Sequence, residues 1–219
     1  MLRGLFVTGT DTGVGKTVAS AALLHRYRAD VPLRYWKPIQ TGIEHDDDTA
    51  EVGRLGACRP YEVLSSGVRL AHPVSPHLAA RLSAYTIRLQ PLVDSVLAEA
   101  GPWIVEGAGG VLVPLNDRET IADLMTRLGL PVVVVARTQL GTINHTLLTL
   151  EALRCRSLQV AGVVLVGSKN PENRAAIEQY GQVMVLGEMP RFDPLTAERL
   201  ADWARTELDP EQRLLERLR

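Results

Sequence analysis

The stretch GTDTGVGKT (residues 9–17) follows a short apolar run, LFV (5–7), and leads into a segment of helical character, KTVASAALLHRYR (16–28). Its last three residues, GKT, are the core of a phosphate-binding loop, for which the usual spacing is G-x-x-x-x-G-K-[ST]. That spacing requires a glycine at position 10, but the chain has Thr10 there, and the nearest earlier glycine is Gly9. Strand, loop and helix in this order bring loop amides and a helix N-terminus together, which suits phosphate. The stretch therefore predicts a nucleotide site with a loop of unusual spacing.

The second half of this loop carries the predicted phosphate contacts. Lys16 would reach the β- and γ-phosphates, and the hydroxyl of Thr17 would hold Mg²⁺. The alternative is a glycine-rich turn with an exposed lysine, which the flanking strand and helix disfavour. The predicted nucleotide-binding residues of the loop are Gly13, Val14, Gly15, Lys16, Thr17 and Val18.

The composition is that of an ordinary globular chain of 219 residues, a length that suits one α/β domain over residues 1–219. Lys plus Arg total 24 and Asp plus Glu total 25, so charge gives no reason to expect nucleic acid or an anionic membrane as partner. Cys58 and Cys155 form no zinc-binding or disulfide pattern, which fits a reducing compartment. The sequence contains no signal-peptide pattern and no run of about 18 apolar residues, so we expect a cytoplasmic protein.

Short apolar runs alternate with longer amphipathic segments along most of the chain. The predicted strands are 5–9, 33–38, 103–110, 131–136, 160–167 and 183–190, and the predicted helices are 16–28, 89–100, 120–129, 144–154, 171–181 and 194–206. This alternation predicts a mostly parallel sheet with helices on both faces, the three-layer α/β/α architecture of a P-loop NTPase. Residues 39–88 break the pattern, and we expect their loops to carry a ligand.

An acidic residue stands at the end of one predicted strand, in WIVEGAGG (103–110). A buried carboxylate without a partner is costly, and phosphate-loop proteins need an acid at a strand end near the metal. We therefore expect Glu106 to be a metal ligand, although a solvated loop acid is the alternative. The small residues that follow would let the backbone approach phosphate, so Gly107, Ala108 and Gly109 are also predicted to contact the nucleotide.

Six fragments, in order, carry a more specific resemblance. They are GTDTGVGKT (9–17), KPIQTG (37–42), SPH (75–77), VEGAGG (105–110), LGTINHT (140–146) and GEMP (187–190). Together they closely resemble the dethiobiotin synthetase family over essentially the whole chain. That family has an offset phosphate loop, so Thr10 is consistent with the resemblance. It implies ATP- and Mg²⁺-dependent joining of CO₂ to 7,8-diaminopelargonate through a carbamate and a carbamic–phosphoric anhydride, giving dethiobiotin, ADP and phosphate. It also implies a homodimer.

The resemblance implies roles for individual residues. Lys37 and Lys16 would be catalytic, offsetting the repulsion between the carbamate and the triphosphate. The metal ligands would be Thr17, Glu106 and one aspartate of HDDDT (45–49), with Asp48 favoured and Asp47 next. The implied substrate-binding residues are Thr12, Thr41, Ser75 and Pro76, together with Gly141, Thr142, Ile143 and Asn144 contributed by the other subunit.

The base of the nucleotide is the point at which the chain departs from the resemblance. Some members carry an asparagine that reads adenine where this chain has Val166, followed by Gly167. An apolar side chain makes no hydrogen bonds to a base, so we expect a relaxed nucleotide preference. The remaining nucleotide contacts are expected at Pro190, Arg191 and Phe192.

Two other classes of protein share parts of this pattern. A regulatory ATPase of the partitioning or cell-division type would carry an extra lysine early in the loop, where this chain has Thr10 to Gly13. Some of these ATPases end in a membrane-binding helix, but we expect the C-terminal segment PEQRLLERLR (210–219) to pack on the protein or fray. Amide-forming ligases need a glutamine-hydrolysing domain, for which this chain has no room.

Overall fold

The computed structural model describes residues 2–44 and 46–218. The strands are β1 (Arg3–Gly9), β2 (Arg34–Trp36), β3 (Ile39–Thr41), β4 (Val63–Leu64), β5 (Val68–Leu70), β6 (Pro102–Gly110), β7 (Val132–Arg137), β8 (Val160–Val166) and β9 (Val185–Met189). The helices are α1 (Lys16–Tyr27), α2 (Asp48–Leu55), α3 (Pro76–Leu82), α4 (Leu89–Leu97), α5 (Ile121–Leu128), α6 (Thr142–Arg154), α7 (Pro171–Gly181), α8 (Ala197–Glu207) and α9 (Leu215–Leu218).

Seven of the strands form one sheet in the order β4-β2-β6-β1-β7-β8-β9, and every neighbouring pair is parallel. Alternate residues of β1 enter two separate cores, with Phe6 in one and Leu5 and Val7 in the other. Helices α3 to α7 cover the first core, and α1, α2, α8 and α9 cover the second. Coverage of both faces explains why strands such as VVVVA (132–136) are apolar throughout. The predicted three-layer α/β/α fold is confirmed.

The predicted strand 33–38 is wrong at its C-terminal end. β2 stops at Trp36, and the chain resumes as β3, which pairs with β5 in a separate two-stranded sheet. Pro38 lies at the break, where its missing N–H removes a ladder donor. The region 39–88 thus holds short regular elements that a period-based prediction does not detect, because each is only two to eight residues long.

Helix ends differ from the predicted bounds where a capping residue sets them. The last predicted helix began at 194, but α8 begins after Thr196, whose hydroxyl accepts a hydrogen bond from the amide of Arg199. α6 begins at Thr142 rather than 144, after Gly141 in a left-handed conformation. None of the described helices is both long and apolar enough to cross a membrane.

The C-terminal segment packs against α1 through a buried polar cluster. Asp209 is buried; its carboxylate accepts hydrogen bonds from the hydroxyl of Tyr27 and, at 2.9 Å, from the amide of Leu214. Leu215 and Leu218 of α9 are buried in the second core. The expected packing of this segment is therefore confirmed for its described residues.

Tyr27→Phe tests this cluster. The variant leaves a buried carboxylate oxygen without its phenol donor, so we expect the free energy of unfolding to fall by about 1–3 kcal/mol. Urea denaturation measures the change, and catalytic activity is expected to be unaltered. A loss below about 0.5 kcal/mol, the usual range of surface substitutions, would contradict the role given to this bond.

Candidate active site

The phosphate loop connects β1 to α1 and bends at two glycines. Gly13 and Gly15 have φ of +70° and +98°, in the region that favours glycine. A Cβ on Gly9 would lie 2.7 Å from Cγ2 of Val14 and 3.1 Å from Nζ of Lys16. The loop thus folds back over position 9, which explains why the leading glycine stands there and Thr10 is tolerated.

A cluster of charged groups lies beside this loop, built around Glu106 of β6. Parallel pairing sets Trp36, the last residue of β2, opposite Val105 of β6. The residues that follow these two, Lys37 and Glu106, are therefore neighbours. The ammonium of Lys37 is 2.7 Å from Oε1 of Glu106 and 2.6 Å from Oδ2 of Asp48. Glu106 is fully buried and Lys37 nearly so. The structure therefore brings together three residues that lie far apart in the sequence.

Thr17 joins the phosphate loop to the same cluster. Its hydroxyl lies 2.7 Å from Oδ1 of Asp48 and 3.2 Å from Oε1 of Glu106. The described part of the chain has no group of three His, Cys, Asp or Glu that would bind a metal by itself. Mg²⁺, however, binds through one or two carboxylates plus substrate phosphates and water. One hydroxyl and two carboxylates beside a phosphate loop fit Mg²⁺ that arrives with a nucleotide.

The two aspartates considered for the metal have different surroundings. Asp47 is the N-cap of α2, and its Oδ1 accepts from the amides of Thr49 and Ala50 and from Arg69. Asp48 instead faces Thr17 and Lys37. The geometry favours Asp48 and gives Asp47 a capping role, while His45 of the same segment lies outside the described residues.

The opposite charges of the cluster stabilise one another in their ionised forms. Burial on its own would lower the pKa of Lys37, but the carboxylates of Glu106 and Asp48 outweigh it, and its pKa is raised. Burial would raise the pKa of Asp48, but the nearby Lys37 ammonium outweighs it and the pKa is lowered. Both groups are consequently ionised at neutral pH, so Lys37 offers a fixed positive charge.

For Lys16, burial and a neighbouring positive charge outweigh the nearby carboxylates, so its pKa is lowered rather than raised. Its ammonium donates to the main-chain oxygen of Asp11 at 2.9 Å, and burial, followed by the charge of Lys37, lowers its pKa to about 8. A bound triphosphate would favour the protonated form, so binding of the nucleotide is coupled to proton uptake when Lys16 is neutral.

This coupling predicts how nucleotide affinity depends on pH. Lys16 is protonated below its pKa of about 8, so the affinity for nucleotide should be highest below about pH 8. Above that pH the affinity should fall by up to about tenfold per pH unit. Titration calorimetry with a non-hydrolysable ATP analogue from about pH 7 to pH 9.5 measures it. Lys16→Ala should bind weakly with no such slope. A wild-type affinity that stays constant over this range would contradict the assignment.

Tyr35 completes the environment of Glu106. Its hydroxyl donates to Oε2 of Glu106 at 2.9 Å, and both side chains are fully buried. Burial and then the negative charge of Glu106 raise the pKa of Tyr35 well above its usual value, so the phenol keeps its proton. The sequence interpretation missed this residue, although side chains two apart in a strand share a face, and Lys37 was already placed there.

A groove of about 490 Å³ opens on one side of the loop. Its lining comprises Gly9, Thr10, Asp11, Thr12, Gly110, Val111, Leu112, Val113, Pro114, His145, Leu148, Thr149 and Ala152. Of the predicted substrate residues, only Thr12 is in this lining. Thr41 is half-buried at the end of β3, while Ser75 precedes α3 and Pro76 is its buried first residue. The amide of His77 donates to the carbonyl of Pro114, which ties α3 to the rim.

The predicted segment 141–144 forms the beginning of α6. Gly141 has φ of +93°, Asn144 is exposed, and Ile143 packs against the first core. The buried hydroxyl of Thr142 has no hydrogen-bond partner among the described residues. Leu140, just before the helix, is fully exposed. The amide of Thr142 donates to the carbonyl of Gln139 at 3.1 Å. The segment thus presents the N-terminus of α6 and the apolar side chain of Leu140 to the surroundings.

A second groove, of about 470 Å³, lies beyond β8 on the other side of the loop. It is lined by Thr138, Gln139, Val166, Gly167, Ser168, Lys169, Asn170, Pro190 and Arg191. Cγ1 of Val166 is 3.3 Å from where a Cβ of Gly15 would be, so this groove adjoins the phosphate loop. The structure therefore brings together four of the predicted base-contacting residues. Phe192 packs instead against the second core.

Sequence reasoning also missed an ion pair on the loop. Oδ1 of Asp11 accepts from the amide of Thr12 at 2.7 Å, and Oδ2 pairs with Arg137 of β7 at 2.7 Å. The first half of the loop is thereby fastened to a neighbouring strand. The adjacency of β1 and β7 that creates this pair is a property of strand order, which the sequence did not specify.

Comparison with known proteins decides the family. A family model described as an AAA domain matches residues 3–199. The ATP-dependent dethiobiotin synthetase BioD of Paramagnetospirillum magneticum is 51% identical over 200 residues, 91% of this chain and 94% of that protein. The chain belongs to the dethiobiotin synthetase family. A second member of this enzyme family, BioD of Brucella ovis, is 46% identical over 196 residues and 90% of each chain.

Two solved structures share the fold of this dethiobiotin synthetase family member at low sequence identity. MinD of Pyrococcus horikoshii, complexed with Mg-ADP, has a TM-score of 0.57 at 15% identity, covering 100% of this chain and 93% of that one. A ParA family ATPase of Chlorobium tepidum has a TM-score of 0.54 at 10% identity, covering 99% and 97%. At such low identity these likenesses confirm the P-loop fold alone. The predicted family, by contrast, is confirmed at 46–51% identity.

Proposed function

We propose that the protein catalyses the ATP- and Mg²⁺-dependent carboxylation and ring closure of 7,8-diaminopelargonate, with CO₂ derived from bicarbonate, to give dethiobiotin, ADP and phosphate. The observation that carries this proposal is the Lys37 ammonium between the Glu106 and Asp48 carboxylates, beside the hydroxyl of Thr17. It puts a fixed positive charge next to a phosphate loop in a member of this family. We propose that the reaction takes place in the cytoplasm.

The proposed reaction has three steps that balance in atoms and charge. One amine of the substrate attacks CO₂ and loses a proton, which gives a carbamate. A carbamate oxygen then attacks the γ-phosphorus as the bond to ADP breaks, which gives a carbamic–phosphoric anhydride. The second amine attacks the carbamoyl carbon, loses a proton and expels phosphate, so the ureido ring closes.

The residues of the site suit the second step because phosphoryl transfer depends on alignment and charge neutralisation. Two anions must meet between two lysines: Lys16 is the first residue of α1, at the end of the phosphate loop, and Lys37 directly follows β2. Thr17, Asp48 and Glu106 would hold Mg²⁺, which supplies further charge neutralisation at the β- and γ-phosphates. Thr12, which lines the groove of about 490 Å³, would donate a hydrogen bond to the carbamate.

We propose that the active unit is a homodimer with the substrate site at its interface. Three large apolar side chains, Leu112, Leu140 and Leu148, are 54%, 105% and 56% exposed. Leu112 and Leu148 line the groove of about 490 Å³ that contains Thr12, and Leu140 precedes the start of α6. A second subunit that covered these leucines would bring its Gly141 to Asn144 amides to the substrate, where a helix N-terminus suits a carboxylate. Ser75, Pro76 and Thr41 would complete the pocket.

We propose that the base of the nucleotide lies in the groove of about 470 Å³ beside Val166 and that the protein discriminates weakly between bases. Val166 contributes only methyl groups beside Gly15, so at this position a base makes apolar contact and no hydrogen bond. We expect kcat/KM for ATP, GTP and CTP to lie within about tenfold of one another, because hydrogen-bond readout is what produces larger ratios. Steady-state kinetics with each nucleotide measures this ratio. A preference for ATP of more than about a hundredfold would show that other groups read the base.

The product tests the proposed function directly. The purified protein is incubated with the diamine, Mg-ATP and ¹³C-bicarbonate, and the product is identified by mass spectrometry. We expect a product with the mass of dethiobiotin that contains one ¹³C atom, and one ADP for each product molecule. Absence of labelled product in the presence of bound nucleotide would overturn the proposal.

A further inference from the structure

The carboxylate of Glu106 divides its two oxygens between different partners. Oε1 faces the ammonium of Lys37 at 2.7 Å and the hydroxyl of Thr17 at 3.2 Å. Oε2 accepts from the hydroxyl of Tyr35 at 2.9 Å, and within residues 2–44 and 46–218 it has no other side-chain donor. Tyr35 thus donates to the carboxylate oxygen that does not contact Thr17.

The terminal torsion of a glutamate has a broad, roughly twofold profile, so its carboxylate plane is not fixed by the rotamer alone. At Glu106 the plane decides whether an oxygen points at Thr17 or away from it. A phenol that donates to Oε2 from a fully buried strand holds the plane in one orientation.

We propose that Tyr35 is a positioning residue for the metal–nucleotide complex, which acts by holding Oε1 of Glu106 towards Thr17. The proposal rests on the proposed function, because it assigns Glu106 to the metal. Outer-shell partners of metal ligands commonly affect affinity by about ten- to a hundredfold, and Tyr35 has the geometry of such a partner.

The chain contains a matched control for this role. Tyr27 is also a fully buried tyrosine whose hydroxyl donates to a buried carboxylate, that of Asp209. Asp209 belongs to the C-terminal cluster and has no contact with Glu106, Asp48 or Thr17 among the described residues. Tyr35→Phe and Tyr27→Phe therefore delete the same atom from similar surroundings, and only the first deletion touches the proposed metal site.

The experiment measures Mn²⁺ binding by electron paramagnetic resonance in the presence of a non-hydrolysable ATP analogue, for the wild type and both variants. We expect Tyr35→Phe to raise the Kd for Mn²⁺ by about ten- to a hundredfold, with the metal-free affinity for the analogue unchanged. Tyr27→Phe should leave the Kd for Mn²⁺ at the wild-type value. The Mg²⁺ concentration for half-maximal activity should shift in parallel for Tyr35→Phe.

Three outcomes would contradict the positioning role of Tyr35, and they can be told apart. If the wild type binds Mn²⁺ and Tyr35→Phe binds it within about twofold as tightly, the positioning role is overturned and the proposed function stands. If Tyr27→Phe weakens Mn²⁺ binding as much as Tyr35→Phe, the effect is one of general stability and the inference is again overturned. If the wild type with bound nucleotide binds no Mn²⁺, the inference fails together with the proposed metal site.

Discussion

Lys37→Ala is expected to lower kcat by about a thousandfold while the affinity for nucleotide stays within about tenfold of the wild type. The reason is that Lys37 provides the fixed positive charge at the strand end, whereas the triphosphate would still have Lys16 and the loop amides. Charge stabilisation of this kind matters most as the two anions approach each other, which is a property of the transition state. Single-turnover kinetics and calorimetry with an ATP analogue separate the two effects.

The same substitution removes a cation from between two carboxylates, so folding has to be checked. Lys37→Arg retains the charge with a different geometry and should keep the thermal stability while losing most of kcat. Arg205→Ala is the control for loss of a cation, because Arg205 of α8 is exposed, pairs with Asp202 at 2.9 Å and lines neither groove beside the phosphate loop. Loss of nucleotide affinity with kcat intact in Lys37→Ala would contradict the role given to this residue.

Glu106→Gln is the second substitution with a large expected effect. It preserves the shape of the side chain but removes its charge, so the proposed metal site loses one of its two carboxylates and Lys37 loses one of two ionic partners. We expect kcat/KM to fall by about a hundred- to a thousandfold, accompanied by a higher Mg²⁺ requirement. Steady-state kinetics over a range of Mg²⁺ concentrations measures both.

Glu178→Gln is the control for this substitution. Glu178 of α7 accepts from the amide of Val185 at 3.1 Å and pairs with Arg174 at 3.5 Å. It has no contact with the Lys37 cluster among the described residues, so its variant should retain catalysis. Equal activity of Glu106→Gln and Glu178→Gln would contradict the metal role.

The parts of the site that were predictable from the sequence are those fixed by local order or by strand ends. The apolar run before Gly9 and the helix after Gly15 place the phosphate loop without any long-range information. Glu106 ends the apolar run of β6 and Lys37 follows that of β2, and parallel strands bring their carboxyl ends to one edge of the sheet. The 2.7 Å contact between the two side chains was not predicted and is a finding of the structure.

Other features depended on information that is absent from local patterns. The choice between Asp47 and Asp48 depends on which residue caps α2, and both are aspartates in a run of three. The two-stranded sheet of β3 and β5 consists of segments of three residues each, too short for a periodic signal. Tyr35 could have been predicted from the sequence, because residues two apart in a strand share a face and Lys37 lies two positions after Tyr35.

The most direct test of the proposed reaction is the release of phosphate from Mg-ATP by the purified protein in the presence of bicarbonate and 7,8-diaminopelargonate, with each component omitted in turn. We expect release to require all of them, since the γ-phosphate is transferred only to a carbamate made from the diamine. Phosphate release that proceeds at the same rate without the diamine would contradict it.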